Sequence, residues 1–356
     1  MPAAALAKCV NGAIAFGAEG VGDTMTKAIR IHANGGPEAL RWEDVELPPP
    51  GPGQAQVRQT AIGINYSDVN VRRGGFYLKQ KPVFPLTLGN EAAGVVAAVG
   101  PGVTDIKAGD RVAYAGMHGE FYDDTGAYVQ SRNVFADRLV NIPDGVSDQQ
   151  AAAMLLKGFT ASLIINKLFT PKKGDTILIH TVAAGVGIIL CQWAKHLGAT
   201  VLGTVGSEDK AKIARAHGCD HTILYREKDF VEETLKLAPG GVDAVFDGVG
   251  KDTFVKSLNC TRPFGLMVNY GNASGHVPPF ELLLLAKGSV SICRPGVSSY
   301  TRDVVTMRKA AAELFELVRT GALRIEIGRT YKLEDAATAH RDLEGRNASG
   351  SLLLLP

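Results

Sequence analysis

At 356 residues, 46% hydrophobic and 21% charged, the chain has the composition of an ordinary globular protein and the length of two domains rather than one. A formal net charge of +2, with its basic residues scattered, argues against a nucleic-acid partner or an anionic membrane surface. The five cysteines (Cys9, Cys191, Cys219, Cys260, Cys293) form no C-x-x-C pair, which argues against a disulfide framework or a structural zinc site and fits a reducing, cytoplasmic compartment. No apolar run is expected to reach the ~18–20 residues of a membrane span.

Residues 1–25 are Ala/Gly-rich, with an apolar centre at 13–16 that is thin for a secretory signal. They read as a disordered extension ahead of a start near Met25. From there, residues 27–32, 54–65 and 91–99 alternate apolar and polar side chains as half-buried strands do. Gly35-Gly-Pro37, residues 48–53 and Gly100-Pro-Gly102 supply turns, and 106–112 is a turn entering a further strand. Short strands with turns at this spacing predict a β-rich, barrel-like domain.

The pattern changes near Asp148. Residues 149–168 are apolar at helical spacing, and strands and helices then alternate. Asp175-Thr-Ile-Leu-Ile-His180 is a buried strand, Thr181-Val-Ala-Ala-Gly-Val-Gly187 a turn of small residues, 188–197 a helix stopped by Gly198, and 199–206 a second strand. That unit sets a dinucleotide pyrophosphate over backbone N–H groups at a helix N-terminus. Ser207 caps a helix ending at His217–Gly218. Strands at 221–225, 242–246, 265–270 and 289–293 alternate with helices at 229–237 and 252–258, which makes a doubly wound parallel sheet. Helices at 306–319 and 331–343 and a strand at 350–354 close the chain.

Gly63-Ile-Asn-Tyr-Ser-Asp68, Gly89-Asn-Glu-Ala-Ala-Gly94, Lys107-Ala-Gly-Asp-Arg-Val112, Leu156-Lys-Gly-Phe-Thr160, residues 180–187, Asn269-Tyr-Gly-Asn-Ala-Ser-Gly275 and Gly350-Ser-Leu-Leu-Leu354 carry a resemblance. Over nearly the whole chain from Thr26, they resemble the zinc-independent quinone oxidoreductase branch of the medium-chain dehydrogenase/reductase superfamily, which includes zeta-crystallin. The resemblance implies an α/β protein in two units. Residues 26–151 and 298–356 would form a GroES-like barrel domain, and 152–297 a Rossmann doubly wound domain that binds NADPH. Zinc-dependent relatives carry a cysteine where this chain has Asn65 and a histidine where it has Asn90. No four-cysteine lobe stands at 115–124. Neither a catalytic nor a structural zinc is therefore expected.

An NAD-selective fold places a carboxylate at the end of the second strand, where this chain has Val205. Ser207, Lys210 and Tyr225 follow, and the Lys210–Tyr225 pair matches the quinone oxidoreductase pattern for holding a 2′-phosphate, so NADPH is expected over NADH. By the same resemblance Gly185, Val186 and Gly187 lie under the pyrophosphate. Thr160, Val249, Tyr270, Gly271 and Asn272 flank the ribose and nicotinamide, and Arg346 reaches across the cleft. Ala184 stands where the family has a glycine and Thr181 where it has alanine, and the extra methyl at Ala184 is expected to displace the backbone.

Without a metal, the expected chemistry is hydride delivery to a conjugated acceptor, with the protein orienting the reactants and excluding water. Asn65, Asp68 and Lys157 are the candidate catalytic residues: Asn65 as an amide donor, Lys157 as an electrostatic aid, and Asp68 either directly or as the cap of the turn that follows it. Phe76 and Tyr77 are candidate pocket walls, and Asn70 replaces a frequent aromatic. The leading function is an NADPH:quinone oxidoreductase acting on a small-molecule quinone. The alternatives are an enone or alkenal double-bond reductase and an NADPH-binding protein with little turnover. Residues 289–293, halted by Arg294-Pro295, look like an edge strand; in relatives such a strand pairs across a two-fold axis, so a homodimer is expected.

Overall fold

The computed structural model describes residues 25–75, 82–116, 125–345 and 350–356. The expectations placed on residues 1–24, on Phe76 and Tyr77, on 117–124 and on Arg346 lie outside the described residues. In chain order come β1 (Met25–Ile31), β2 (Arg41–Glu46), β3 (Gln54–Gly63), α1 (Tyr66–Arg72), β4 (Leu86–Thr87), β5 (Glu91–Val99), β6 (Arg111–Ala115), β7 (Ser131–Phe135) and β8 (Val140–Asn141). Met25 belongs to β1, where it faces Glu46 of β2, and not to an extension. β2, β1 and β4 form a small antiparallel sheet. The long strands β3 and β5 pair antiparallel, and where Ala61–Gly63 meets Glu91–Ala93 every residue is buried, Ala61 and Ala93 in one apolar cluster and Ile62 and Ala92 in another.

Ser147 opens α2 (Asp148–Leu163) with a reciprocal capping box: its hydroxyl accepts from Gln150 N at 3.1 Å and its own N–H donates to the Gln150 side chain at 2.9 Å. With the wider turn at Ile164–Leu168, α2 makes a 21-residue helix that is long and apolar enough to cross a membrane, contrary to the sequence expectation. Its most apolar stretch is 78% buried inside the fold, so it serves as a core helix. Side chains of α2 share one apolar cluster with Ala61 and Ala93 on one side and Ile177, Ile179 and Leu190 on the other.

Then follow β9 (Thr176–His180), α3 (Gly185–His196), β10 (Thr200–Val205), α4 (Glu208–Ala216), β11 (His221–Leu224), α5 (Phe230–Leu237), β12 (Val242–Asp247), α6 (Phe254–Ser257), β13 (Thr261–Asn269) and β14 (Ser291–Cys293). These strands lie parallel in the order β11-β10-β9-β12-β13-β14. The order reverses between β9 and β12, and in sheets of this kind ligands bind beyond the carboxyl ends of the strands at that switch point.

The chain returns through α7 (Val297–Thr301), α8 (Val304–Arg319), β15 (Ile327–Lys332), α9 (Ala336–Glu344) and β16 (Ser351–Leu355). The helix expected at 331–343 begins later. Tyr331 and Lys332 end β15, parallel to β16, and Tyr331 donates its hydroxyl to Asp342 of α9 at 2.6 Å. β16 pairs antiparallel with β3, which brings the end of the chain back into the sheet of β3 and β5 and to the cleft beside the switch point.

Candidate active site

A cleft of about 480 Å³ opens where the N-terminus of α1, the middle of α2, the β9–α3 turn and the turns after β12, β13 and β14 converge. It brings together Asn65 and Lys157 with Thr160, Gly185 and Val186 of the expected cofactor wall. Tyr270, Gly271 and Asn272 also line it, as does Asn70. Asp68, Gly187, Ser207, Lys210, Tyr225 and Val249 do not form part of its lining.

The cofactor wall begins at the N-terminus of α3. Ala184 is the residue before the helix and no side chain caps it, so the first N–H groups of α3, those of Gly185, Val186 and Gly187, are left for a ligand. That donor set fits a pyrophosphate. Ala184 has φ −154° and ψ 156°, an extended backbone open to any residue, so alanine is unstrained there, and it lines the cleft. The special positions lie on either side of it. Gly185 has φ +55°, and Thr181, not a glycine, has φ +57° with its hydroxyl donating to His180 O at 2.6 Å. Gly187 is required by contact, because a Cβ there would stand 2.5 Å from Thr181 O. His180 is buried; its ring nitrogens pair with Thr204 Oγ1 at 3.0 Å and Ser257 Oγ at 2.8 Å, and burial pushes its pKa down. It is a neutral strut between strands.

Across the cleft, one carboxylate organises the candidate catalytic residues. Glu91, fully buried at the start of β5, accepts from Asn65 Nδ2 at 2.8 Å and Lys157 Nζ at 2.9 Å on one oxygen. Its other oxygen accepts from Leu156 N of α2 at 2.7 Å. This close approach explains Gly63: any Cβ there would lie 2.4 Å from Glu91 Oε1 and 2.3 Å from Ala152 O. Sequence reasoning missed Glu91, although it sits in the quoted Gly89–Gly94 motif.

Asp68 is drawn away from the cleft. Its carboxylate caps α1 by accepting from Asn65 N at 2.9 Å, and it also accepts from Asn90 Nδ2 at 2.9 Å and Tyr128 Oη at 3.1 Å. Burial pushes its pKa up to about 6, against the lowering effect of those donors. Tyr128 continues to His340 Nε2 at 3.0 Å, and burial pushes that imidazole down to about 3. The Asp68 arrangement positions Asn65 from beneath. The two asparagine amides at the positions where zinc enzymes carry thiolate and imidazole are thus both donors to carboxylates. Among the described residues, no group of three or more His, Cys, Asp or Glu side chains could hold a metal ion.

The residues expected at a 2′-phosphate lie outside the cleft lining, at and after the end of β10. Ser207 caps α4, accepting from Lys210 N at 3.4 Å. Tyr225, 39% exposed, stands over Gly206, where a Cβ would lie 2.9 Å from its hydroxyl and 3.5 Å from Arg226 Nε. Glu208 and Asp209, awkward neighbours for an anion, are paired with Arg215 and Lys212 of their own helix. Val249 sits behind the lining residue Gly248, its N–H donating to buried Asp247 at 2.7 Å.

Comparison with known proteins agrees with this fold. Residues 51–144 match the alcohol dehydrogenase GroES-like domain and residues 185–316 the zinc-binding dehydrogenase domain. The chain is 43% identical to a quinone oxidoreductase of Pseudomonas aeruginosa over 93% of its own length and 100% of the relative's. It is 41% identical to a 2-haloacrylate reductase of Burkholderia, with 93% and 99% covered. The solved structure of Escherichia coli quinone oxidoreductase complexed with NADPH superposes with a TM-score of 0.87 at 40% identity, covering 93% of this chain and 100% of that one. Fold, cleft and likeness converge: the chain belongs to the quinone oxidoreductase, zeta-crystallin-like branch of the medium-chain dehydrogenase/reductase superfamily.

Proposed function

We propose that this chain is an NADPH-dependent quinone oxidoreductase that works without zinc. The observation that carries the reading is the pairing, across one cleft, of the uncapped N-terminus of α3 with an Asn65–Lys157 pair anchored on Glu91. NADPH, when bound, supplies a hydride. Gly185, Val186 and Gly187 would hold its pyrophosphate, Ser207, Lys210 and Tyr225 its 2′-phosphate, and Thr160, Val249, Tyr270, Gly271 and Asn272 its ribose and nicotinamide. Arg346 is proposed on resemblance alone. Residues 152–297 would be the nucleotide-binding unit, inserted between 26–151 and 298–356.

Asn65 and Lys157 line the cleft with donors beyond those they give to Glu91, and these are suited to an acceptor oxygen as negative charge develops on it. A quinone spreads that charge over its own ring, so hydrogen-bond donors suffice and no Lewis acid is called for. The amide character of Asn65 and Asn90 supports the zinc-free reading, because neither is a thiolate or imidazole. A second reading, reduction of a conjugated carbon–carbon double bond in an enone or alkenal, is favoured by the likeness to 2-haloacrylate reductase. The low-turnover reading rested on Ala184, whose extended backbone needs no glycine.

The test is stopped-flow oxidation of NADPH against panels of quinones, enones and alkenals. Quinone turnover that survives dialysis against a chelator is the expected result. Turnover of enones or alkenals alone would replace the first reading with the second, and tight NADPH binding with no acceptor consumed would sink both.

We read the protein as cytoplasmic and as a homodimer joined along β14. β14 ends the parallel sheet with its outer backbone edge open, and Phe264, Leu282 and Leu283 nearby are 79%, 73% and 76% exposed. A short edge strand beside such an apolar patch suits isologous pairing with a second copy.

A further inference from the structure

Three consecutive strands of the parallel sheet end at the cleft, and a single polar chain links their ends. Asp247, the last residue of β12, is fully buried and accepts from Val249 N at 2.7 Å and Thr253 Oγ1 at 2.9 Å, which shapes the turn after its own strand. Asn269, the last residue of β13, donates its amide to Asp247 Oδ2 at 3.2 Å and to Gly271 O at 3.0 Å. Arg294 follows β14, and its Nη1 donates to Asn269 O at 3.1 Å, to Asn269 Oδ1 at 2.5 Å and to Gly271 O at 3.2 Å. With the Asn272 amide turned so that both its ends are satisfied, Nη2 donates to its oxygen at 2.9 Å while its nitrogen donates to Gly271 O at 2.9 Å. Gly271 also packs on the turn after β12, where a Cβ would meet Gly248 O at 2.5 Å.

From this we infer that Arg294 is a positioning residue, whose guanidinium locks the Asn269–Asn272 turn into the shape that meets the nicotinamide half of the cofactor. The role needs a planar fork. One side chain serves oxygens on three residues from two nitrogens, which a single ammonium on a flexible stem does not reproduce. The clamp also ties the cleft wall to β14, the edge strand, rather than to β13 alone. Tyr270, Gly271 and Asn272 all line the cleft, so a turn released from the guanidinium loses its shape where the cofactor is expected.

The cofactor half of this inference rests on the NADPH reading, and the clamp itself does not. The test therefore starts with the protein free of nucleotide. In Arg294→Ala, amide hydrogen exchange at Tyr270, Ala273 and Ser274, whose N–H groups bond Asp247 O, Gly248 O and Val249 O, should quicken about tenfold or more, with β9 and β12 unchanged. The dissociation constant for NADPH should rise on the order of tenfold or more. Arg294→Lys should resemble the alanine variant, and added methylguanidinium should restore binding to Arg294→Ala. Unchanged exchange at the three amides, or a lysine variant equal to the wild type, would overturn the inference. Exchange that quickened equally throughout the sheet would reduce Arg294 to general stability and overturn it as well. A wild-type protein that does not bind NADPH would instead defeat the cofactor reading and leave the exchange result to judge the clamp.

Discussion

Glu91 governs the candidate site, and nothing beside it in the chain announces that role. Its hydrogen-bond partners lie 26, 65 and 66 positions away, at the N-cap of α1 and on α2, so no local spacing could have linked them. Asn65 and Lys157 were legible because they sit in motifs, whereas the carboxylate joining them emerges only once β5 is paired between β3 and β6 with α2 packed on the sheet. Asp68 illustrates the opposite problem. A carboxylate three residues after Asn65 reads first as a helix cap and second as a catalytic group, and its hydrogen bond from Asn65 N and its burial beneath the cleft agree with the cap. The Glu91–Lys157 pair yields a prediction at this scale. Both side chains are buried, so Glu91→Gln strands an ammonium in the interior and should cost about 3–5 kcal/mol of stability, with turnover falling alongside. Adding Lys157→Met should return most of the stability without the turnover, as denaturant unfolding and steady-state rates would register. A Glu91→Gln protein as stable as the wild type would contradict the role given to this pair.

Among the elements, the strands and helices of the parallel sheet were legible because their signals are local: β-branched runs for β9 and β10, Ser207 as the cap of α4, Gly198 after α3. The conformation inside the β9–α3 turn was not. A missing glycine at 184 looked like the anomaly, yet the non-glycine residue held at positive φ is Thr181, and no pattern of residue types distinguishes those two arrangements. The same limit moved the start of α9, since residues 331–343 have helical spacing but Tyr331 is claimed by pairing between β15 and β16. The ends of β10 and β11 carry the second prediction. No carboxylate stands at Val205–Gly206, and Lys210 and Tyr225 follow the strand ends, so Lys210→Ala should weaken NADPH binding by about tenfold while hardly changing NADH. Titration of both cofactors against the variant measures this, and equal losses would remove Lys210 from the 2′-phosphate site.

For the molecule as a whole, the cleft exists because α2 belongs to both halves at once. Its residues carry Lys157 and Thr160 to the cleft while its apolar side chains pack against the barrel strands and the parallel sheet alike. The two sheets therefore share a core, and the chain end in β16 closes the junction by pairing with β3. The surface left unfinished is at the other end of the parallel sheet. Phe264 is 79% exposed and held at φ +61°, a conformation that a bulky side chain rarely adopts, and its N–H bonds Gly288 O at 2.8 Å just before β14. An apolar side chain presented in this way, on the strand beside the open edge of β14, is accounted for when a second copy covers it. Two β14 strands meeting antiparallel across a two-fold axis would extend one parallel sheet into the other and bury both patches together. In sedimentation at micromolar concentration the wild type should then run as a dimer. Ile292→Asp, a charge set on the edge strand, should run as a monomer while keeping the melting behaviour of a folded chain. A wild type that sediments as a monomer would leave the exposed Phe264 without an explanation and the two-fold assembly without support.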